Sequence, residues 1–262
     1  MSNFRTKIEV RHLSVTHGGV DALSDLSFDV NGGGLTVVLG AADSGKTELL
    51  RALTRLHLDE SIRVTGSVEI RGEQIYASGV DLAALHRKVG LVLSAPWLFP
   101  GSIVAIVAYG LRVAGRRIED INHAVEASLR VVGLWAKLRM NLDGSPADLT
   151  REEQLGLCIA RAVALEPEVL LLDDPARNLD HLGRRRLEEL LGVLRARCTV
   201  VLATRDVGQA ARLADDIVFL HRGRVLDSGA AKDVLGRPRA AEMVEYIAAY
   251  MGERSDHWAA FT

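Results

Sequence analysis

Residues 40–47 of the chain read Gly40-Ala41-Ala42-Asp43-Ser44-Gly45-Lys46-Thr47. It follows the phosphate-loop pattern G-x-x-x-x-G-K-[S/T], in which glycines let the backbone turn tightly and direct its N–H groups at a phosphate. In that pattern the Lys46 side chain reaches the β- and γ-phosphates of a nucleotide, and the Thr47 hydroxyl holds Mg²⁺. The motif therefore predicts a nucleotide phosphate site at residues 40–47.

The segments on either side of this loop support the motif. Residues 35–39 form a short apolar run, which predicts a buried strand. Leucines recur at helical spacing after the loop and predict a helix, whose positive dipole end would add to the phosphate site. These leucines are Leu49, Leu50, Leu53 and Leu56. A strand, a glycine-containing loop and a helix in this order argue against a chance match.

The composition limits the class of protein. With 262 residues, 48% of them apolar, the chain can form one large or two small domains with a substantial core. Its net charge of −2 gives no sign of a nucleic-acid partner. Cys158 and Cys198 lie in apolar segments, so we expect buried free thiols rather than a disulfide. No signal peptide and no membrane-spanning run is visible, so we expect a cytosolic chain that reaches a membrane through a partner.

Three kinds of segment follow one another along the chain. Strand patterns dominate residues 1–95, helical spacing dominates residues 96–164, and strands alternate with helices over residues 165–228. We predict an α/β core from the first and third segments, an all-helical insert at 96–164 and a helical tail at 229–262. We expect the end of the tail, after Gly252, to be loose.

A second set of motifs lies downstream. The apolar run 169–172 predicts a buried strand that ends in Asp173, where a carboxylate can hold Mg²⁺ through water. Before it, a helical segment ends in Cys158-Ile159-Ala160-Arg161-Ala162, and after it comes Leu179-Asp180. In this order the chain resembles the ATP-binding subunit of an ABC transporter over residues 8–252.

Within that family the chain is most similar to the phosphate-import ATP-binding proteins. The similarity rests on four stretches, which are Phe99-Pro100-Gly101-Ser102-Ile103, Val107-Ala108-Tyr109-Gly110-Leu111-Arg112, Leu157-Cys158-Ile159-Ala160-Arg161 and Glu245-Tyr246-Ile247. These stretches belong to the scaffold of the family's fold and do not contact the transported ion.

The resemblance implies a fold, a ligand and partners. The fold is α/β, with a P-loop NTPase (RecA-like) core, an N-terminal antiparallel β subdomain and an all-helical insert, which is the ABC ATPase fold. ATP and Mg²⁺ are held between two such domains, head to tail, in a homodimer or in a heterodimer with another ABC ATPase subunit. The resemblance also implies transmembrane permease subunits as partners, a peripheral location on the inner face of the cell membrane, and no nucleic acid.

The resemblance assigns nucleotide-binding roles to His17 and to residues 40–48, with Thr47 and Asp173 as Mg²⁺ ligands. At the position of His17 the family stacks adenine on an aromatic ring, so His17 is either a weaker stacking partner or a histidine of a surface turn. Asp43 replaces a glycine, and its carboxylate repels phosphate unless it turns outward. Glu48 replaces a second hydroxyl residue, so we expect weakened nucleotide binding.

The catalytic positions depart from the family as well. The general base is normally glutamate and is Asp174 here, and a misplacement of about 1 Å can cost about 10²-fold in rate. Ser94 stands for the glutamine that links Mg²⁺ and the attacking water to the helical insert, and it can act only through a bridging water. Arg205 stands for the switch histidine, and it is either a phosphate ligand or a surface arginine.

The signature segment differs from the family's sequence pattern more than any other motif of the chain. The family has Leu-Ser-Gly-Gly-Gln where this chain has Leu149-Thr150-Arg151-Glu152-Glu153. Arg151 and Glu152 obstruct the close backbone approach to the partner's γ-phosphate that glycines allow. Alternatively, the segment is a helix N-terminus with Thr150 as its cap. Asp180 corresponds to the D-loop, which also faces the partner's site.

These residues leave three functions open. The first is the ATP-binding subunit of an ABC importer, for phosphate, with slow hydrolysis. The second is a non-hydrolysing pseudo-ATPase that pairs with or regulates an intact ABC subunit. The third is an ABC protein that acts on DNA or in cluster assembly, although the basic surface or large insertions of such proteins are not obvious here.

Overall fold

The computed structural model describes residues 6–57 and 61–253, which form two compact units. The first unit consists of Met1–Ser78 and Val201–Thr262, and the second of Gly79–Val200. In chain order the elements are β1 (Thr6–His17), β2 (Val20–Asn31), β3 (Leu35–Leu39), α1 (Lys46–Thr54), β4 (Ile62–Ile70), β5 (Glu73–Gln74), α2 (Leu82–Lys88), β6 (Val89–Val92), α3 (Ile103–Val113), α4 (Ile118–Val131), α5 (Trp135–Leu138), α6 (Arg151–Val163), β7 (Val169–Asp173), α7 (His181–Leu194), β8 (Thr199–Thr204), α8 (Val207–Leu213), β9 (Asp216–His221), β10 (Arg224–Ala230), α9 (Ala231–Gly236) and α10 (Ala241–Glu253).

An antiparallel sheet with the order β2-β1-β4-β5 forms part of the first unit. Alternate side chains of β1 and β2 are buried, as the period of two in a half-buried strand requires. Val10, for example, is opposite Phe28, and both are buried. Each of these two strands has 12 residues.

The first unit also holds the strand that leads into the phosphate loop. All five residues of β3 are buried, and the strand lies between β9 and β8, with β9 parallel to it. The strands β9 and β10 pair antiparallel as a hairpin across Arg222 and Gly223, whose φ angles are 46° and 73°. The order β3, loop, α1 therefore matches the prediction from the sequence.

In the second unit β6 runs parallel to β7, and α3 to α6 pack around a common apolar cluster. Ile106, Val107, Leu129 and Leu157 are fully buried in that cluster. Residues 96–164 are described throughout and contain helices but no strand, as predicted. Both cysteines are free, and burial raises the pKa of the Cys198 thiol to about 11.

Some predictions from helical spacing were wrong. Leu56 lies beyond the end of α1, because Arg55 takes a left-handed conformation (φ 56°) that closes the helix at Thr54. Ile118 of α4 and Leu182 of α7 are 77% and 53% exposed, since each lies in the first turn of its helix, ahead of the buried stripe.

Two further predictions stay predictions. The division into core, helical insert and tail is one of them, and the loose end after Gly252 is the other, because residues 254–262 lie outside the described part of the chain. Among the described residues, no helix has both the length and the apolar character needed to cross a bilayer.

Candidate functional site

The phosphate loop has the tight backbone that its glycines predict. A Cβ on Gly40 would lie 2.2 Å from the carbonyl oxygen of Leu220, so no larger residue fits there. Gly45 has a φ of 101°, and a Cβ on it would lie 2.8 Å from a methyl group of Leu23. Both glycines of the motif are therefore required by the packing of the first unit, and the loop is a preformed turn at the start of α1.

Lys46 places a cation inside this loop. Its Nζ donates hydrogen bonds to the carbonyl oxygens of Gly40 and Ala41 at 2.8 and 2.5 Å, and to Ser44 Oγ at 3.2 Å. The residue is buried, with 9% of its surface exposed. A buried ammonium beside a glycine turn at a helix N-terminus is the arrangement that recognises phosphate, so the residues present fit a nucleotide phosphate chain.

Asp43 is exposed and takes a left-handed conformation with a φ of 58°. This conformation costs most residues free energy and suits glycine, the residue that the family has at this position. The exposure agrees with the expectation that the carboxylate must turn outward for phosphate to enter.

Glu48 and His17 meet next to the loop, together with His57, which sequence reasoning missed. Glu48 Oε1 lies 3.2 Å from His17 Nε2 and 3.4 Å from His57 Nδ1, distances at which each histidine forms an ion pair with Glu48 when it is protonated. The pKa of Glu48 is lowered, chiefly by His57 and further by His17, against the opposing effect of burial. No motif includes His57, which lies beyond the end of α1, so no sequence signal could have found it.

His57 is itself held by Tyr76. The Tyr76 hydroxyl lies 2.9 Å from His57 Nε2 and donates a hydrogen bond to the carbonyl oxygen of Ala52 at 2.9 Å. Burial raises the pKa of Tyr76, so the hydroxyl remains protonated. His17, Glu48, His57 and Tyr76 thus form one polar cluster. The His17 side chain of this cluster is 36% exposed.

The second unit carries Asp173, Asp174 and Ser94. Asp173 is the last residue of β7 and is buried, with 4% exposed. Asp174 follows with a left-handed φ of 44°, which turns the chain sharply after the strand. Ser94 follows β6 and lines a cavity of about 260 Å³ together with Arg151. Two positions at which the chain departs from the family therefore share one cavity.

The signature segment is a helix N-terminus, as one of the two interpretations predicted. The Thr150 hydroxyl accepts a hydrogen bond from the Glu153 amide at 3.3 Å, and the Thr150 amide donates to Glu153 Oε2 at 3.0 Å, which makes a capping box. Lys137 contacts Glu153 at 2.5 Å and lowers its pKa. Arg186 contacts Glu152 at 3.2 Å, so both glutamates are engaged within the second unit.

The remaining predicted residues lie at the starts of helices. Asp180 is the N-cap of α7 and accepts a hydrogen bond from the Gly183 amide at 2.7 Å. Arg205 follows β8 directly and is exposed.

In the described ranges, no group of three or more histidine, cysteine, aspartate or glutamate side chains is arranged to hold a metal ion. The predicted Mg²⁺ ligands Thr47 and Asp173 belong to different units.

The chain has relatives among known proteins that match it over most of its length. A profile of the ABC transporter family matches residues 23–177. The phosphate import ATP-binding protein PstB 1 of Vibrio parahaemolyticus is 37% identical over 254 residues, which cover 96% of this chain and 93% of that protein. The corresponding protein PstB of Thermotoga maritima is 36% identical over 248 residues, which cover 94% of this chain and 98% of that protein.

Solved structures show the same fold. CbiO1 of Clostridium perfringens, part of the ABC transporter complex cbiONQ, has a TM-score of 0.77 at 22% identity, with 95% of each chain covered. A bacterial Atm1-family ABC exporter with ATP bound has a TM-score of 0.78 at 22% identity, with 95% of this chain and 42% of that chain covered. The predicted ABC ATPase fold is thereby confirmed. The chain belongs to the ABC transporter family, and its sequence is similar to those of the phosphate import ATP-binding proteins.

Proposed function

We propose that this chain is the ATP-binding subunit of an ABC importer for inorganic phosphate. The observation that carries the proposal is the buried Lys46 ammonium inside a loop whose two glycines are required by packing. The names of the similar import proteins support the choice of phosphate as the transported ion. The subunit binds MgATP and couples the nucleotide state to a membrane permease, on the inner face of the cell membrane.

The proposal gives each site residue a role. Lys46 and the amides of residues 40–47 bind the phosphates. Thr47 and Asp173 would hold Mg²⁺, and a bound Mg²⁺ would neutralise part of the phosphate charge. His17 offers one face of its ring to adenine. Residues 1–95 and 165–228 form the nucleotide-binding core, residues 96–164 the helical subdomain, and residues 229–262 the tail.

Hydrolysis is slow in this proposal. Asp174 orients or deprotonates the attacking water from a shorter side chain than the usual glutamate, while Ser94 and Arg205 act in altered supporting roles. Phosphoryl transfer relies on positioning and on charge stabilisation, so several altered positions lower the rate together. Two chains, or this chain and another ABC ATPase subunit, form the working dimer.

The decisive experiment for binding is an equilibrium titration of the purified chain with MgATP. We expect saturable binding, and we expect Lys46→Ala to abolish it, because the variant lacks the cation in the loop. Lys232→Ala is the matched control, since Lys232 is an exposed lysine of the first unit. Equal binding by wild type and Lys46→Ala would reject the proposed phosphate site.

A second candidate is a non-hydrolysing subunit that pairs with, or regulates, an intact ABC ATPase subunit. The observation that favours it is the signature segment, where Glu152 and Glu153 are ion-paired with Arg186 and Lys137. Two glutamates in place of neutral residues disfavour a partner's γ-phosphate there. Mixing the chain with an intact phosphate-import subunit tests this candidate, and the absence of a mixed complex counts against it.

A further inference from the structure

The last helix of the first unit contacts the segment that carries Arg205. The Tyr246 hydroxyl, on α10, donates a hydrogen bond to the carbonyl oxygen of Arg205 at 2.6 Å. One turn further along α10, the Tyr250 hydroxyl donates to Asp206 Oδ1, also at 2.6 Å. Two hydroxyls of one helix thus contact two consecutive residues directly after β8.

The helix that carries these tyrosines is anchored. Met243 is fully buried and Ile247 is 7% exposed, so α10 has an apolar stripe packed into the first unit. The Tyr246 ring packs against Phe219 of β9, with their centroids 5.5 Å apart. Because the Tyr246 ring is held by this packing, its hydroxyl has little freedom to leave its partner.

The segment that receives the hydrogen bonds is held from its other side as well. Asp206 is the N-cap of α8, where its Oδ1 accepts a hydrogen bond from the Gln209 amide at 2.8 Å. The Asp206 amide donates to Thr204 Oγ1 at 3.2 Å. A Cβ on Gly208 would lie 2.7 Å from the Tyr250 hydroxyl, so a larger residue there would displace this hydroxyl from its position.

Arg205 is therefore an exposed side chain on a backbone that is fixed by its neighbours. We infer that Tyr246 and Tyr250 are positioning residues for Arg205, holding its backbone so that the guanidinium is presented to the nucleotide phosphates. This inference rests on the proposed function, in which Arg205 stands at the γ-phosphate position. A fixed backbone lowers the entropy lost when a long side chain binds a phosphate.

The test is a set of double-mutant cycles on MgATP affinity. Tyr246→Phe and Tyr250→Phe each remove one hydroxyl, and we expect each to weaken binding by about 3- to 10-fold. Arg205→Ala weakens binding too, and in the Arg205→Ala background the tyrosine variants cause no further loss. Tyr109→Phe, on an exposed tyrosine of the second unit, is the matched control and leaves binding unchanged.

Hydrogen–deuterium exchange provides a second measurement that does not need nucleotide. We expect faster amide exchange at residues 205–210 in both tyrosine variants, with thermal unfolding confirming that the variants are folded. Unchanged exchange would overturn the inference. Additive losses in the cycle would also overturn it, because the tyrosines would then act on the fold in general.

Different results would reject the proposed function and the positioning role of Tyr246 and Tyr250. If Arg205→Ala weakens MgATP binding and the tyrosine variants do not, the positioning role is wrong and the proposed function stands. If wild type and Lys46→Ala bind MgATP equally poorly, the proposed function is wrong, and with it the role of the tyrosines toward nucleotide. In that case the exchange measurement still decides whether α10 holds the segment.

Discussion

At the scale of single residues, Asp43 carries both a conformational and an electrostatic cost. Its φ of 58° suits glycine, and its charge opposes phosphate. We expect Asp43→Gly to tighten MgATP binding by about fivefold, which corresponds to about 1 kcal/mol. Asp43→Asn separates the two effects, because asparagine keeps a side chain in the same left-handed conformation and lacks only the charge. If neither variant binds more tightly in an equilibrium titration, Asp43 does not limit affinity.

Glu48 makes stability depend on pH. Because its pKa is lowered in the fold, the carboxylate stabilises the protein above the pKa of about 4.3 that it has when unfolded, and this stabilisation is lost as pH falls through the folded pKa. We expect Glu48→Gln to lower the free energy of unfolding at neutral pH by about 1–3 kcal/mol. The variant should also lose less stability on acidification than the wild type.

Glu245→Gln is the control for that measurement, since Glu245 is an exposed glutamate of α10. Urea unfolding at a series of pH values checks both variants. A Glu48→Gln variant whose pH profile coincides with that of the wild type would contradict the lowered pKa of Glu48. The sequence identified Glu48 as a departure, but its partners His17 and His57 are 31 and 9 residues away in the chain and meet it only through folding.

At the scale of elements, the start of α6 has the clearest local signal. One interpretation of the sequence predicts Thr150 as a helix cap, and the structure contains both hydrogen bonds of a capping box between Thr150 and Glu153. We expect Thr150→Ala to cost about 1 kcal/mol of the free energy of unfolding, because the Glu153 amide loses its acceptor. Thr150→Ser keeps the acceptor and should be close to neutral. Urea unfolding measures both, and equal losses in the two variants would argue against capping.

Elements could be predicted from the sequence where their signals are local. The loop between β3 and α1, the hairpin at Gly223 and the helices of residues 96–164 each have a short motif or a clear period. The helices α2, α8 and α9 have 7, 7 and 6 residues, too few turns for a period to show. The contacts of α10 with residues 205 and 206 depend on packing across more than 40 positions and have no local signal.

At the scale of the whole molecule, the predicted site residues divide between two compact units. His17, residues 40–48 and Arg205 belong to the first unit, and Ser94, Asp173, Asp174 and the signature segment belong to the second. Each set comes from segments that are distant in sequence. The separate motifs could therefore be recognised in the sequence, but the division of the chain into two units could not be predicted from local patterns. The resemblance to the ABC transporter family is what assigns both sets of residues to one function.

We propose that this chain retains nucleotide binding while its own catalytic residues limit hydrolysis. The most direct test is the single-turnover rate of ATP hydrolysis, with protein in excess and with dimerisation monitored. Compared with the wild type, a variant that combines Asp174→Glu, Arg151→Gly and Glu152→Gly should hydrolyse ATP at least about tenfold faster. An unchanged rate in a folded, ATP-binding variant, or a wild-type rate as fast as that of an intact phosphate-import subunit, would contradict the account.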